Sequence, residues 1–390
     1  MKFTCAKETL SEAISICSHA VSSKASTPIL EGLLIQVKQG DVTLTGFNYK
    51  TGIQRSFSAE RTEDGEAVIN ARILGDIVRK MPSADITIHV DEKLTANIRC
   101  GNSEFNIVGG DAKEFPEMPF VGRENGVTLP NSLLKDMIAG TIFAVCENEN
   151  KPIMTGSLFE VEGKQLRLVS VDGYRLAVRT EHIDSLSGDN AKFVVPGQTL
   201  RDIARILPDD DEFCVIYPQR KHALFVFDNT VVTTRLLEGE FLNYKAAIPQ
   251  DQPVNIVLDK SELVSSVERV SLIISERLKN PVRCNFDGES LQLSCITALG
   301  RSYDELPIPD CGAQVEIGFN NRYLLDALRA CPDDKFVLGL KSSLSPCTIR
   351  PVEGDRLLRT EGRRPNLRHR SHRRIDHTAE EFGHHHPQGS

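Results

Sequence analysis

LGDIVRKMP at 74–82, LRDIARILP at 200–208 and LLDALRACP at 324–332 are three readings of one pattern, L-x-D-[IA]-x-R-x-x-P. Leu74, Leu200 and Leu324 stand 126 and 124 residues apart, and Asp76/Asp202/Asp326, Arg79/Arg205/Arg329 and Pro82/Pro208/Pro332 keep the same steps. A second pattern lies upstream in each copy. Leu10 with Ile14, Leu134 with Ile138 and Leu263 with Val267 fall at helical spacing, and 18 residues after each Leu come Pro28, Pro152 and Pro281. Two independent patterns sharing a period of about 125 residues make chance a poor explanation, and that period is domain-sized rather than the 20–50 residues of a solenoid. The chain is therefore expected to hold three copies of one domain.

Each copy reads in the same order: a short strand, an amphipathic helix, several alternating strands, a second helix and closing strands. In the first helix Leu10, Ile14, Cys17 and Val21 share a face. After Pro28 the period switches to two, with ILEGLLIQV, DVTLTG and TGIQRSFS reading as strands. QLRLVSV and YRLAVR flank Asp172-Gly173, a hairpin signal. The second helix begins near Arg72 and must end by Pro82, because proline cannot continue it. The fold class is α+β, each unit carrying two helices and antiparallel strands.

Length and composition narrow the function. The chain has 390 residues, 40% hydrophobic and 26% charged. No apolar run reaches 18 residues, and the opening MKFTCAKETLSEAISIC carries charges where a secretory signal needs an apolar core, so neither a membrane span nor export is expected. The ten cysteines form no C-x-x-C pair, which suits reduced thiols in a cytosol rather than a zinc or disulfide framework. From Arg356 to the end there are eight Arg and four acids; the remaining 355 residues hold 38 basic and 50 acidic groups, a net of −12. So acidic a body repels nucleic acid at long range, and any DNA role must depend on where its basic residues sit. Lys24, Arg72, Arg79, Lys80, Lys151, Arg201, Arg205, Arg277, Lys279, Arg322 and Arg329 sit on or beside the polar faces of the helices, an arrangement suited to phosphate contact without sequence readout. The blander reading of L-x-D-x-x-R is a surface ion pair three residues apart on a helix. P-loop, dinucleotide, zincin and serine-hydrolase signatures are absent, and regularity spent three times over is unlike a catalytic constellation, so no enzyme, cofactor or metal site is expected.

These residues resemble the bacterial DNA polymerase III β subunit family, the sliding clamps. The resemblance runs from Met1 to about Asp355, through MKFTCAKETLSEAI, STPIL at 26–30, KPIMTG at 151–156, SVDGYRLAVR at 170–179, LLEGEFLNYKAAIP at 236–249 and GFNNRYLLDAL at 318–328. It implies three clamp domains, at 1–122, 127–249 and 252–360, that pair head to tail with a second copy into a ring around duplex DNA. It further implies a non-catalytic processivity factor in the cytoplasm, whose partners are DNA, itself, the replicative polymerase and the clamp loader. Carried over, DNA contacts fall on Lys24, Arg72, Asn148, Lys151, Gln198, Asn320 and Tyr323. A partner groove between domains two and three falls on Met154, Thr155, Gly173, Tyr174, Arg175, Leu176, Leu242, Ala246 and Ala247. Ring closure, pairing edge strands of domains one and three, falls on Phe105 and Ile107 against Leu272 and Ile273. The rival readings are an enzyme built from three duplicated domains and an interaction scaffold that lost DNA.

The chain departs from the family after about Asp355, where members close with an apolar strand and a short Pro-containing terminus that walls the groove. Here RLLRTEGRRPNLRHRSHRRIDHTAEEFGHHHPQGS holds six apolar residues in 35, enough for one short strand near 356–360 and disorder from about Glu361. The abrupt change of composition after an intact repeat favours a shifted reading frame; an Arg-rich DNA-binding arm and a histidine metal site are the alternatives.

Overall fold

The computed structural model describes residues 1–22, 27–183, 190–275 and 280–352. Lys24, Arg277, Lys279, the expected strand near 356–360 and the tail 361–390 lie outside them. Among the described residues six α-helices come in three adjacent pairs: α1 (Lys7–Ser18) with α2 (Ala71–Lys80), α3 (Asn131–Ala139) with α4 (Gly197–Ile206), and α5 (Lys260–Ser271) with α6 (Asn321–Ala330). The repeated nine-residue pattern is the second helix of each pair. In α2 the residues Leu74, Ile77 and Val78 are buried while Arg72, Asp76, Arg79 and Lys80 face out. Each such buried aliphatic side chain contributes about 2 kcal/mol. The helix starts where Asn70 accepts the Ile73 amide at 3.0 Å, and Asn320 caps α6 in the same way through Tyr323.

The antiparallel sheets repeat with the helices. Thr230–Arg235 of the second copy pairs with Thr51–Ser58 of the first, Thr230 opposite Arg55 and Thr234 opposite Thr51, so one eight-stranded sheet crosses the boundary between them. One hydrophobic core accordingly runs through both copies, and a separate core fills the third. Ser103–Val108 is the edge of the first copy's remaining sheet, and Gly300–Pro307 the edge of a four-stranded sheet in the third. Leu176–His182 also ends a four-stranded sheet, with no strand on its outer side among the described residues.

Two expectations need correcting. ILEGLLIQV is not all strand: Pro28–Glu31 is a 3-10 turn, as Pro152–Thr155 is in the second copy, because proline fixes φ and lacks an amide for a ladder. Leu272 and Ile273 are not on an edge strand. They form the turn that ends α5, beside the Gly300–Pro307 strand.

Candidate functional site

Three equivalent hairpin turns recur, one per copy, and the first two sit where one copy meets the next. Asn48 Oδ1 accepts the amides of Lys50 and Thr51, and Asp172 Oδ1 accepts those of Tyr174 and Arg175. In the third copy Thr297 Oγ1 accepts the Leu299 amide. Each is a four-residue turn closed by the side chain of its first residue, so Thr51, Arg175 and Gly300 are equivalent. Gly173, at φ +92°, takes the left-handed position that its turn requires.

In the second and third copies the residue before the repeated Leu receives the last residue of the turn from the preceding copy. Thr199 Oγ1 lies 2.9 Å from Thr51 Oγ1 and 3.1 Å from Thr234 Oγ1, a buried chain of hydroxyls. At the second junction Tyr323 lies under the Arg175 guanidinium at 4.3 Å, and Tyr174 packs against Tyr323 at a tilt of 34°, ring centroids 5.9 Å apart. Arg175, only 8% exposed, also binds Asp172 at 2.9 Å and Asp326 at 2.6 Å, and reaches over Phe143.

The repeated Asp is likewise a junction residue. Asp76 pairs with Arg79 on the surface, the pairing expected from spacing. Asp202 instead faces His19 of the first copy at 3.4 Å and holds Arg205 and Gln198 besides, and Asp326 turns to Arg175, leaving Arg329 to Glu268. The surface-pair reading therefore fails for Asp326, which takes Arg175 of the adjoining copy instead, and is incomplete for Asp202, which also faces His19 of the adjoining copy.

On the helix side, Asn148, Lys151, Asn320 and Tyr323 line one cavity of about 630 Å³ together with Tyr174 and Arg175. Arg72 lines another, of about 880 Å³, between α1 and α2. Gln198 is exposed but tied to Asp202, and Asn320 spends its side chain capping α6. Among the expected lining cations, Arg79, Arg205, Arg322 and Arg329 each face a carboxylate.

The expected groove residues divide. Met154 packs against a cluster holding Leu158, Val169, Leu176 and Tyr244, in which Leu176 is fully core. Thr155 donates to the Pro152 carbonyl. Leu242, Ala246 and Ala247 are exposed, and Leu242 lines an 870 Å³ cavity with Leu158, Val194 and Tyr244 of that cluster. Tyr174 and Arg175 belong to the helix-side cavity and Gly173 to the turn beside it.

That 870 Å³ cavity contains an ion cluster no spacing announced. Glu160, 1% exposed, receives Lys192 at 2.7 Å, Arg167 at 3.0 Å, the Tyr244 hydroxyl at 2.5 Å and Lys245 at 3.5 Å. Burial raises its pKa, but the hydrogen bonds from Lys192, Tyr244 and Arg167 outweigh burial and hold it down at about 2. Burial, then the Glu160 carboxylate, pushes the Tyr244 hydroxyl up.

Models of the N-terminal, central and C-terminal domains of the DNA polymerase III beta subunit match residues 1–119, 128–243 and 245–361. The beta sliding clamp of Bacillus subtilis is 30% identical over 361 residues, covering 90% of this chain and 96% of that protein. That of Synechococcus elongatus matches equally well. The chain belongs to the DNA polymerase III beta subunit family. A crystal structure of the Bacillus subtilis DNA polymerase sliding clamp superposes with a TM-score of 0.89 at 29% identity, covering 94% of this chain and 99% of that one. The Pseudomonas aeruginosa beta subunit gives 0.89 at 25%, covering 93% and 100%.

As a member of the beta subunit family, the protein is a sliding clamp: a processivity factor without catalytic activity of its own, built from three domains of one α+β fold. No helix among the described residues is long and apolar enough to cross a membrane. The beta subunit's junction residues Thr51, Phe143, Thr199 and Asp326 escaped sequence reading. For Asp326 the signal existed, since an Asp kept in all three repeats invited a role beyond an exposed ion pair.

Proposed function

We propose that two copies of this chain close head to tail into a ring that holds duplex DNA by topology, in the cytosol, and presents the second-to-third domain boundary to the replicative polymerase and clamp loader. The domains run 1–122, 127–249 and 252–360. The observation that carries this reading is the strand pairing between Thr230–Arg235 and Thr51–Ser58. Ser103–Val108 occupies in the first domain the place of Thr230–Arg235 in the second, because Cys100 and Ser103 close their hairpin as Phe227 and Thr230 do. Gly300–Pro307 occupies the place of Thr51–Ser58, with Ser290 opposite Pro307 as Asp41 is opposite Ser58. The two edges thus complement each other and lie at opposite ends of one chain, so only a second copy can join both and close the circle.

Transferring the observed register sets Ser103 opposite Asp304, Phe105 opposite Ser302 and Ile107 opposite Gly300 of the second copy. Phe105 and Ile107 then point to the helix side, where Leu272, 84% exposed in the single chain, and Ile273 meet them. Inside the ring, Arg72, Lys151, Asn148 and Gln198 face the duplex; Asn320 and Tyr323 shape the surface beside them. A lining with this many paired cations binds weakly and leaves the DNA free to slide. Peptides from polymerase and loader dock across Met154, Thr155, Gly173, Leu242, Ala246 and Ala247, with Leu176 forming the floor and Arg175 with Tyr174 the wall toward the third domain.

Sedimentation of the wild-type chain and of Leu272→Ala with Ile273→Ala tests closure. The wild type sediments as a dimer at micromolar concentration and the double variant shifts to monomer. A fully dimeric double variant contradicts the assignment.

A further inference from the structure

The closing contact can be read beyond the strands from what the two intrachain junctions do at equivalent positions, an inference that rests on the ring reading above. At the first junction the hydroxyls run Thr51, Thr199, Thr234; at the second, Arg175 and Tyr174 cover Tyr323. The equivalents at the closing junction are Gly300 for Thr51 and Arg175, Leu299 for Tyr174, Ile73 for Thr199 and Tyr323, and Ile107 for Thr234. Likewise His19, which faces Asp202, and Phe143, which lies under Arg175, correspond to Leu272. Apart from Asp76, the equivalent of Asp202 and Asp326, these contact positions are thus aliphatic or glycine at the closing junction. Ile73 and Leu299 are 47% and 81% exposed in the single chain, and Ile296 of the same hairpin is exposed as well, so each element presents apolar surface to solvent.

We propose that Ile73 of α2 and Leu299 of the Thr297–Gly300 turn form an apolar contact between the two copies of this chain, as Tyr323 and Tyr174 do within it. Gly300 lets the turn approach α2 closely, since no side chain stands where Arg175 reaches over Tyr323. Asp76, the equivalent of Asp202 and Asp326, has Leu272 and Gly300 at the positions of His19 and Arg175 across this junction and keeps Arg79. The intrachain junctions are therefore pinned by buried polar contacts, whereas the helix side of the closing junction separates into two apolar patches.

The test is a double-mutant cycle on dimer dissociation, read by sedimentation equilibrium. Ile73→Lys and Leu299→Glu each weaken the dimer about 10-fold or more, because each places a charge against an apolar partner. Combined, they restore the dimer to within about 3-fold of wild type, since each junction then holds one Lys opposite one Glu. Thermal unfolding of the monomer is unchanged in all three, both side chains being exposed there. A single variant that leaves dissociation within about twofold of wild type, or a combination as weak as the product of the singles, overturns the contact. Oxidative cross-linking of Ile73→Cys with Leu299→Cys gives a second reading: a covalent dimer is expected, and none forming under diamide overturns it. A wild type that remains monomeric at all concentrations would remove the ring reading itself.

Discussion

Replacing Arg175 with Met keeps most of its volume and removes its charge at the junction of the second and third domains. The guanidinium is bound to Asp172 and Asp326 and lies on the Tyr323 ring. Removing one member of a buried ion pair costs about 3–5 kcal/mol, and a partly desolvated cation–π contact adds about 1 kcal/mol. Asp326 keeps part of its surface in water, which lowers the penalty for leaving it unpaired, so a loss of about 3 kcal/mol is expected. Because several domains unfold, a single denaturation midpoint is a poor measure; hydrogen exchange of the α6 amides reports the junction locally. In Arg175→Met, α6 should lose about two powers of ten in protection while α2 keeps its own. Combining Arg175→Met with Asp326→Asn separates the pair from the rest, with a coupling of about 2 kcal/mol expected. Additivity within about 0.5 kcal/mol would refute a direct pin and leave Arg175 merely a packed side chain.

Three further outcomes follow from the geometry. The folded-state pKa of Glu160, about 2, lies below its ordinary 4.5, so its stabilisation is present above about pH 4.5 and is lost as pH falls toward 2; Glu160→Gln should destabilise the central domain by about 2 kcal/mol at pH 7, a difference that shrinks across that window in calorimetry. Reversing Arg72 and Lys151 to Glu should weaken retention on DNA and leave thermal stability within about 0.5 kcal/mol, checked by trapping on nicked circles and by melting. Met154→Ala with Leu242→Ala should lower the affinity of a labelled polymerase-tail peptide about 10-fold or more in a fluorescence titration, whereas unchanged affinity would move the groove elsewhere.

The sequence carried the repeat, and with it the six helices, because a buried Leu, a terminating Pro and an apolar spacing are local demands that recur at each copy. It also marked the hairpin at Asp172-Gly173, whose turn needs a left-handed residue. Partners across junctions were less legible. Arg175 reads as one more basic residue until the third domain brings Asp326 and Tyr323 to it from 151 and 148 positions away, and nothing near Glu160 shows that Arg167, Lys192, Tyr244 and Lys245 converge there. The resemblance alone sets Leu272 on an edge strand: its apolarity is visible in the sequence, while its place in the turn after α5 depends on where that helix stops.

The most direct test of the central claim compares retention on circular and linear DNA after a clamp loader has acted. Protein held by topology stays on a nicked circle through gel filtration in high salt and leaves as soon as the circle is cut, because nothing then blocks the ends. Equal retention on both forms, or loss from both as salt rises, would show that the chain is held by surface charge and does not encircle its DNA.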